Sequence, residues 1–215
     1  LAQLLHIPIV GCDMASSSLS MNKLATKRVV DDCAIPIVPY QVHHVSDDVP
    51  AFDGITKDLG NVLFVKPVNA GSSIGVSRVT NQHEWEAAVS LAHSYDPLIL
   101  IEKAIDAREL EVAVIGNYPD VSASVVGEIN PDGEFYSYDS KYDENSTSGV
   151  IIPADVSAEV SDIIRAYAIE IFHVLGCSGL SRVDFFVDRS NGDIYFNEIN
   201  TLPGFTDISM YPKLW

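Results

Sequence analysis

Two short stretches near the end of this 215-residue chain carry residue types suited to phosphate and metal chemistry. They are Arg182-Val183-Asp184 and Glu198-Ile199-Asn200. Side chains alternate faces along a strand, so Arg182 and Asp184 point one way, as do Glu198 and Asn200. Two carboxylates and an amide on otherwise apolar strands make a hard-cation site, of the type that holds Mg²⁺ between protein and phosphate oxygens. The plainer alternative is a solvated hairpin with scattered charges, because surface carboxylates are common.

Register decides whether the two pairs meet. A two-residue Asn191-Gly192 turn would set Asp184 opposite Ile199, on the other face from Glu198. A three-residue loop, Ser190 to Gly192 with Gly192 left-handed, pairs Arg189 with Asp193, Asp184 with Glu198 and Arg182 with Asn200. Only the second register gathers the ligands, and it is the expectation here.

Upstream, Val62 to Pro67 reads as a buried strand that ends in Lys66, and Pro97 to Lys103 as a second that ends in Glu102-Lys103. Gly71-Ser72-Ser73-Ile74-Gly75 between strands offers backbone N–H groups and hydroxyls with little bulk, which suits a flap over phosphates. It lacks the spacing and lysine of a Walker loop. Lysine at a strand end often only snorkels into water. Two such lysines, a flap and a downstream Asp/Glu/Asn set nevertheless fit ATP with Mg²⁺, where cations neutralise phosphate charge.

These residues need a scaffold. Leu1 to Val10 reads as the end of a helix and a short Ile7–Val10 strand. A helix from about Asn22 to Asp32 carries Lys23, and Ile35 to Tyr40 is extended, as its prolines require. Residues 43–61 read as a loop or short helix. Asn81 with Glu84 is a capping box for a helix to His93. Residues 109–115 and 121–129 form antiparallel strands, and 130–149 a polar loop. Ser157 to Leu175 is the clearest helix, with Ile164, Ala168 and Ile171 at helical spacing and Gly176 as its stop. The fold class is α+β, in two lobes with a cleft between them.

Composition narrows the partners. A hydrophobic fraction of 47% with 20% charged residues belongs to a globular chain. The formal charge of -17 argues against nucleic acid, which needs a basic field. Cys12, Cys33 and Cys177 lack Cys-x-x-Cys spacing and read as reduced thiols. No apolar run has the length of a membrane helix and no signal segment opens the chain, so a cytoplasmic protein with no membrane partner is expected.

The chain resembles the ATP-grasp family and, within it, the D-alanine–D-alanine ligases. The resemblance rests on Met21-Asn22-Lys23, Phe64-Val65-Lys66-Pro67 with the flap, Ile101-Glu102-Lys103, Glu134 to Tyr142, Ser181 to Asp184, and Asn197 to Thr206. It implies an ATP-grasp fold with the nucleotide in the cleft. Residues 1–11 would end an absent N-terminal domain, 12–106 form a central subdomain and 107–215 a truncated C-terminal one. The expectation is therefore a piece of a longer protein, inactive alone.

The resemblance also implies roles. Lys23 and Lys66 contact ATP phosphates, Glu102, Lys103 and Ile105 surround the adenine, and Glu109 holds the ribose. Lys141 reaches the γ-phosphate. Asp184, Glu198 and Asn200 bind two Mg²⁺ ions, with Mn²⁺ as a substitute. Arg182 and the Gly204 N–H stabilise an oxyanion, Ser72 and Tyr142 form a hydrogen-bond network beside the substrates, and Ser209 holds a carboxylate. The implied reaction joins two D-alanines through an acylphosphate for peptidoglycan, in a homodimer when full length. Tyr142 and Met210 favour D-alanine as acceptor, whereas Val10 to Asp13 and Gly176 to Arg182 resemble a D-serine-using branch; D-lactate is the third acceptor in the family. Asn22 departs from the family's commoner aspartate. A non-catalytic nucleotide-binding module would have no need of Arg182, Gly204 or Ser209.

Overall fold

Asn22 is the hinge on which the first two helices turn. Its side-chain carbonyl accepts from the Ala25 N–H at 2.8 Å, capping α2 (Lys23–Asp32) where α1 (Met14–Met21) ends. Asparagine and aspartate cap equally well, so the departure from aspartate leaves the helix start intact. The computed structural model describes residues 2, 4–130 and 149–215. The Lys23 N–H donates to the Val68 carbonyl at 3.1 Å, which fastens α2 to the first sheet.

That sheet contains β1 (Tyr40–His44), β2 (Leu63–Pro67), β3 (Ser77–Val79) and β4 (Leu98–Lys103). Its order is β1-β4-β2-β3, antiparallel throughout. One face buries Leu63, Val65, Ile99 and Ile101 against α3 (Phe52–Leu59) and α4 (Gln82–His93), through Ile55, Leu59, Trp85 and Val89. Each such side chain contributes roughly 1.5–3 kcal/mol. Alternation then turns Phe64, Lys66, Leu100 and Glu102 to the opposite face, where Leu100 meets Leu24 of α2. Half of the expected capping box forms: Asn81 accepts from the Glu84 N–H at 3.1 Å, but Glu84 accepts at 2.7 Å from the N–H of Thr80, the residue before the cap, rather than from that of Asn81.

The second sheet contains β5 (Ala107–Asn117), β6 (Asp120–Asn130), β7 (Gly149–Ile151), β8 (Gly179–Asp188) and β9 (Ile194–Asn200), in the order β7-β6-β5-β8-β9. Its inner face packs Val112, Val126, Val183 and Phe196 on α5 (Ala158–Val174), through Ile164, Ala168, Ile171 and Phe172. The other face is partly covered by α6 (Met210–Leu214), whose Met210, Tyr211 and Leu214 sit on Ala113 and Leu180. Gly127 lets α6 approach, because a Cβ there would lie 2.7 Å from Leu214 Cδ2. The rest of that face carries Glu111, Arg182 and Asp184, by the same alternation.

The β8–β9 hairpin corrects the expected three-residue loop. Asp188 donates its N–H to the Asp193 carbonyl at 2.9 Å, so Arg189 to Gly192 form a longer turn. Gly192 is left-handed as expected, with φ +79°. Near the turn Val187 pairs with Ile194 and Phe185 with Phe196; then the register shifts, and Asp184 pairs with Glu198 and Arg182 with Asn200. Asn197 is the extra, bulged residue. The cause is core packing: Phe196 and Ile199 are both buried although three positions apart, so the strand must carry one residue more than strict alternation allows.

One other expectation changes. Residues 7–10 form no strand and are exposed, lacking any ladder partner among the described residues. Residues 43–61, read as a loop or short helix, hold the short helix α3. Cys12, Val30 and Ile35, which precede the first sheet in the chain, belong to the core of the second sheet. All three cysteines are free thiols.

Candidate active site

Between the two sheets lies a cavity of about 620 Å³. The first lobe lines it with Lys23, Lys66, Ser72, Glu102, Lys103 and Ile105, and the second with Glu109, Asn197 and Glu198. Eight of the residues singled out from the sequence thus share one space. A smaller recess next to it adds Glu111 and Asp184, and shares Glu109, Asn197 and Glu198. Arg182, Asn200, Gly204 and Ser209 do not line the main cavity; they lie beyond the recess, along β8, β9 and the following loop. Lys141 and Tyr142 lie outside the described residues.

The floor of the cavity is a buried cluster of charge. Glu102 receives Lys66 Nζ at 2.5 Å and Lys27 Nζ at 3.0 Å, on separate oxygens. Burial opposes ionisation of Glu102, yet Lys27 and Lys66 outweigh it and hold the carboxyl down to about 2. Burial lowers the pKa of Lys27, with Glu102 pulling the other way, and lowers that of Lys23, with Glu198 the chief opposing charge. A buried ion loses several kcal/mol of hydration, and one close counter-charge returns roughly 4 kcal/mol at a dielectric of about 20. One lysine therefore does little more than offset the burial of Glu102, and the second secures its charge. With Lys23, three lysines face one glutamate, leaving a focused positive floor in an acidic chain. That floor suits an anion.

Lys23 is aimed by the flap. Its ammonium donates to the Ala70 carbonyl, while Asn69 donates its N–H to Asp96 at 2.8 Å and its amide to Asp96 at 2.7 Å. The flap turns tightly at Ser72 and Ser73, with φ +51° and +59°, and the Ile74 N–H closes it on the Gly71 carbonyl at 3.0 Å. Two consecutive non-glycine residues in the left-handed region store roughly 1–2 kcal/mol each, a type of strain that gathers at ligand clamps. Gly75 has no alternative, since a Cβ there would lie 2.7 Å from Tyr95.

Across the cleft, Glu111, Asp184 and Glu198 are register partners on three adjacent strands, β5, β8 and β9. Arg182 reaches Asp184 with two hydrogen bonds of 2.8 and 2.7 Å and lies 3.0 Å from Glu111. Burial works against its charge, but Asp184, with Glu111 and Glu198 behind it, raises the guanidinium pKa. Asp184, Glu198 and Asn200 offer the hard oxygen donors that Mg²⁺ takes. Among the described residues no three His, Cys, Asp or Glu side chains converge on a metal-sized point. The expected set has two carboxylates and an amide, and Asp184 keeps lone pairs beyond the two that Arg182 occupies. Farther along, Ser209 Oγ accepts from the Thr206 N–H at 3.0 Å, and a Cβ on Gly204 would lie 2.7 Å from it.

Sequence reasoning missed Lys27, Glu111 and Asn197. Each had a signal. Lys27 lies one helical turn after Lys23 and shares its face; Glu111 lies two strand positions after Glu109; and the three-residue spacing of Phe196 and Ile199 marks the bulge that turns Asn197 to the cavity.

Residues 29–215 match the family described as D-ala D-ala ligase C-terminus. The chain belongs to this family. A D-alanine--D-alanine ligase from Clostridium acetobutylicum is 46% identical over 219 residues, spanning 100% of this chain and 63% of that protein. The D-alanine-D-alanine ligase structure from Coxiella burnetii matches with a TM-score of 0.83 and 36% identity, over 100% of this chain and 57% of its own. The VanG D-Ala:D-Ser ligase structure from Enterococcus faecalis matches with a TM-score of 0.86 and 37% identity, over 99% of this chain and 61% of its own. The chain therefore spans 57–63% of the length of these D-Ala ligase relatives. Its two sheets with a cleft between them are the ATP-grasp fold. Among the described residues no helix is long and apolar enough to cross a membrane.

Proposed function

We propose that the full-length protein is an ATP-dependent ligase that joins two D-alanines for peptidoglycan precursor synthesis. The observation that carries this reading is the cavity in which Lys23, Lys66 and Glu102 of one lobe face Glu109 and Glu198 of the other. Lys23 and Lys66 receive the phosphates; Glu102, Lys103 and Ile105 receive the base, and Glu109 the ribose. Asp184, Glu198 and Asn200 hold two Mg²⁺ ions, or Mn²⁺, which when bound neutralise phosphate charge. The γ-phosphoryl group passes to the carboxylate of the first D-alanine, ADP leaves, and the second D-alanine's amine attacks the carbonyl carbon of the acylphosphate. The amine gives up a proton and phosphate departs. Arg182 and the Gly204 N–H steady the oxyanion, Ser209 takes the acceptor carboxylate, and Ser72, Tyr142 and Lys141 complete the closed site. Closure keeps water from the acylphosphate. The 215-residue chain alone is inactive, and the whole protein works as a cytoplasmic homodimer.

A D-serine acceptor is the second reading, favoured by the fold likeness to the VanG D-Ala:D-Ser ligase. Full-length protein with Mg²⁺-ATP, D-alanine and D-serine or D-lactate separates the readings by product. The first predicts D-alanyl-D-alanine from D-alanine alone; absence of that dipeptide overturns it.

A further inference from the structure

Lys27 is the unexplained charge at this site. It is 1% exposed, with Glu102 at 2%, and it stands behind the cavity rather than lining it. Its Nζ lies 3.0 Å from Glu102 Oε1 without the alignment of a hydrogen bond, and 5.8 Å from the centre of the Tyr40 ring. Burying an ammonium with a single carboxylate partner is a poor route to stability, since an apolar pair of similar volume does as well or better. The cluster needs another reason.

The two lysines differ in where they can go. Lys66 lines the cavity and Lys27 does not. An anion entering the cavity competes with Glu102 for Lys66. When Lys66 turns to that anion, Glu102 is left buried, and without a second cation it would have to take up a proton. Lys27 is the cation that stays. We infer that Lys27 is a positioning residue for the nucleotide, keeping Glu102 a fixed carboxylate while Lys66 exchanges it for phosphate. This rests on the proposed ATP-dependent reaction. Among the described residues, the charged and titratable groups around Glu102 are Lys27 and Lys23 from α2, Lys66 from β2, Tyr40 from β1, and Glu198 from β9. Of these, Lys27 and Lys66 are the two cations in ion-pair contact with Glu102.

Proton uptake distinguishes this role from a structural one. In Lys27→Met, Glu102 is ionised while paired with Lys66 but protonated once the nucleotide takes Lys66. Binding then absorbs about one proton, and affinity falls by up to about tenfold per pH unit as pH rises. Calorimetry of Mg²⁺-ATP binding to the full-length protein, in buffers of different ionisation enthalpy, reads this directly and needs no turnover. The wild type is expected to bind with no net proton uptake and a flat pH profile. Lys27→Met is expected to show uptake and a KM for ATP that rises more than kcat falls; Lys27→Gln serves in the same way. Wild-type affinity with no proton uptake in either variant overturns the inference. Should neither variant fold, Lys27→Met/Glu102→Gln is compared with Glu102→Gln. Loss of Lys27 should then leave ATP affinity within about twofold, because its effect runs through the carboxylate, and a further fivefold loss contradicts it. Failure of the wild type to bind ATP or form dipeptide counts instead against the ligase reading.

Discussion

At the scale of single residues, the site is a set of charges that hold one another. Asp184 accepts from Arg182 through both oxygens and keeps further lone pairs. Asp184→Asn should therefore raise the Mg²⁺ concentration needed for half-maximal ATP turnover by at least about tenfold; an unchanged requirement would show the metal assignment to be wrong. Glu102 titrates near 2 in the folded chain against an ordinary 4.5. Its contribution is fully present above about 4.5 and is lost as pH falls toward 2, a gross effect of about 3 kcal/mol. The lowered pKa of Lys27 acts in the opposite sense: its burial is unfavourable at neutral pH, so the net gain is smaller. Urea unfolding should show the stability gap between wild type and Glu102→Gln narrowing from pH 7 to pH 3, and a constant gap contradicts the pairing. Gly204→Ala would press on Ser209. Ser209 is the group proposed to hold the acceptor carboxylate, and moving such a group by about an ångström costs on the order of a hundredfold in rate, so kcat/KM should fall by that order with melting temperature nearly unchanged.

At the scale of elements, the β8–β9 hairpin shows what could be read and what could not. Alternation placed Arg182 with Asp184 and Glu198 with Asn200, and the cross-strand pairs exist. The turn is one residue longer than the three-residue loop expected, and the bulge at Asn197 compensates for it. Turn chemistry is a local preference, whereas register is set by which side chains the core accepts, here Phe196 and Ile199. Helices with strong periodicity and caps, such as α5 behind Ser157 and α4 behind Asn81, were legible for the same reason. The Ile7–Val10 stretch was not, because a short apolar run becomes a strand only beside a partner strand. Lys27 and Glu111 were only hinted at, by one helical turn after Lys23 and by two strand positions after Glu109; the ion pairs they make across elements, with Glu102 and Arg182, are not reported by spacing within one element. The hairpin account predicts that Gly192→Ala lowers stability by about 1–2 kcal/mol through its left-handed φ, with no loss of Mg²⁺-dependent turnover. Loss of turnover at wild-type metal levels would show that the turn, rather than the core, holds the register.

At the scale of the whole molecule, the chain is strongly acidic yet concentrates Lys23, Lys27 and Lys66 at one cleft between two sheets. The facing wall carries Glu109, Glu198 and, in the recess, Asp184 and Glu111. Opposed walls of this kind suit an anion bridged to carboxylates by divalent metal. Arg182 lies on the sheet face that α6 partly covers, and Gly204 and Ser209 lie in the loop between β9 and α6. The most direct test is phosphate release by the full-length protein with Mg²⁺-ATP, with and without D-alanine, with the product identified by mass. The account predicts release that depends on D-alanine and a product of D-alanyl-D-alanine; ATP binding with no D-alanine-dependent phosphate release would contradict it.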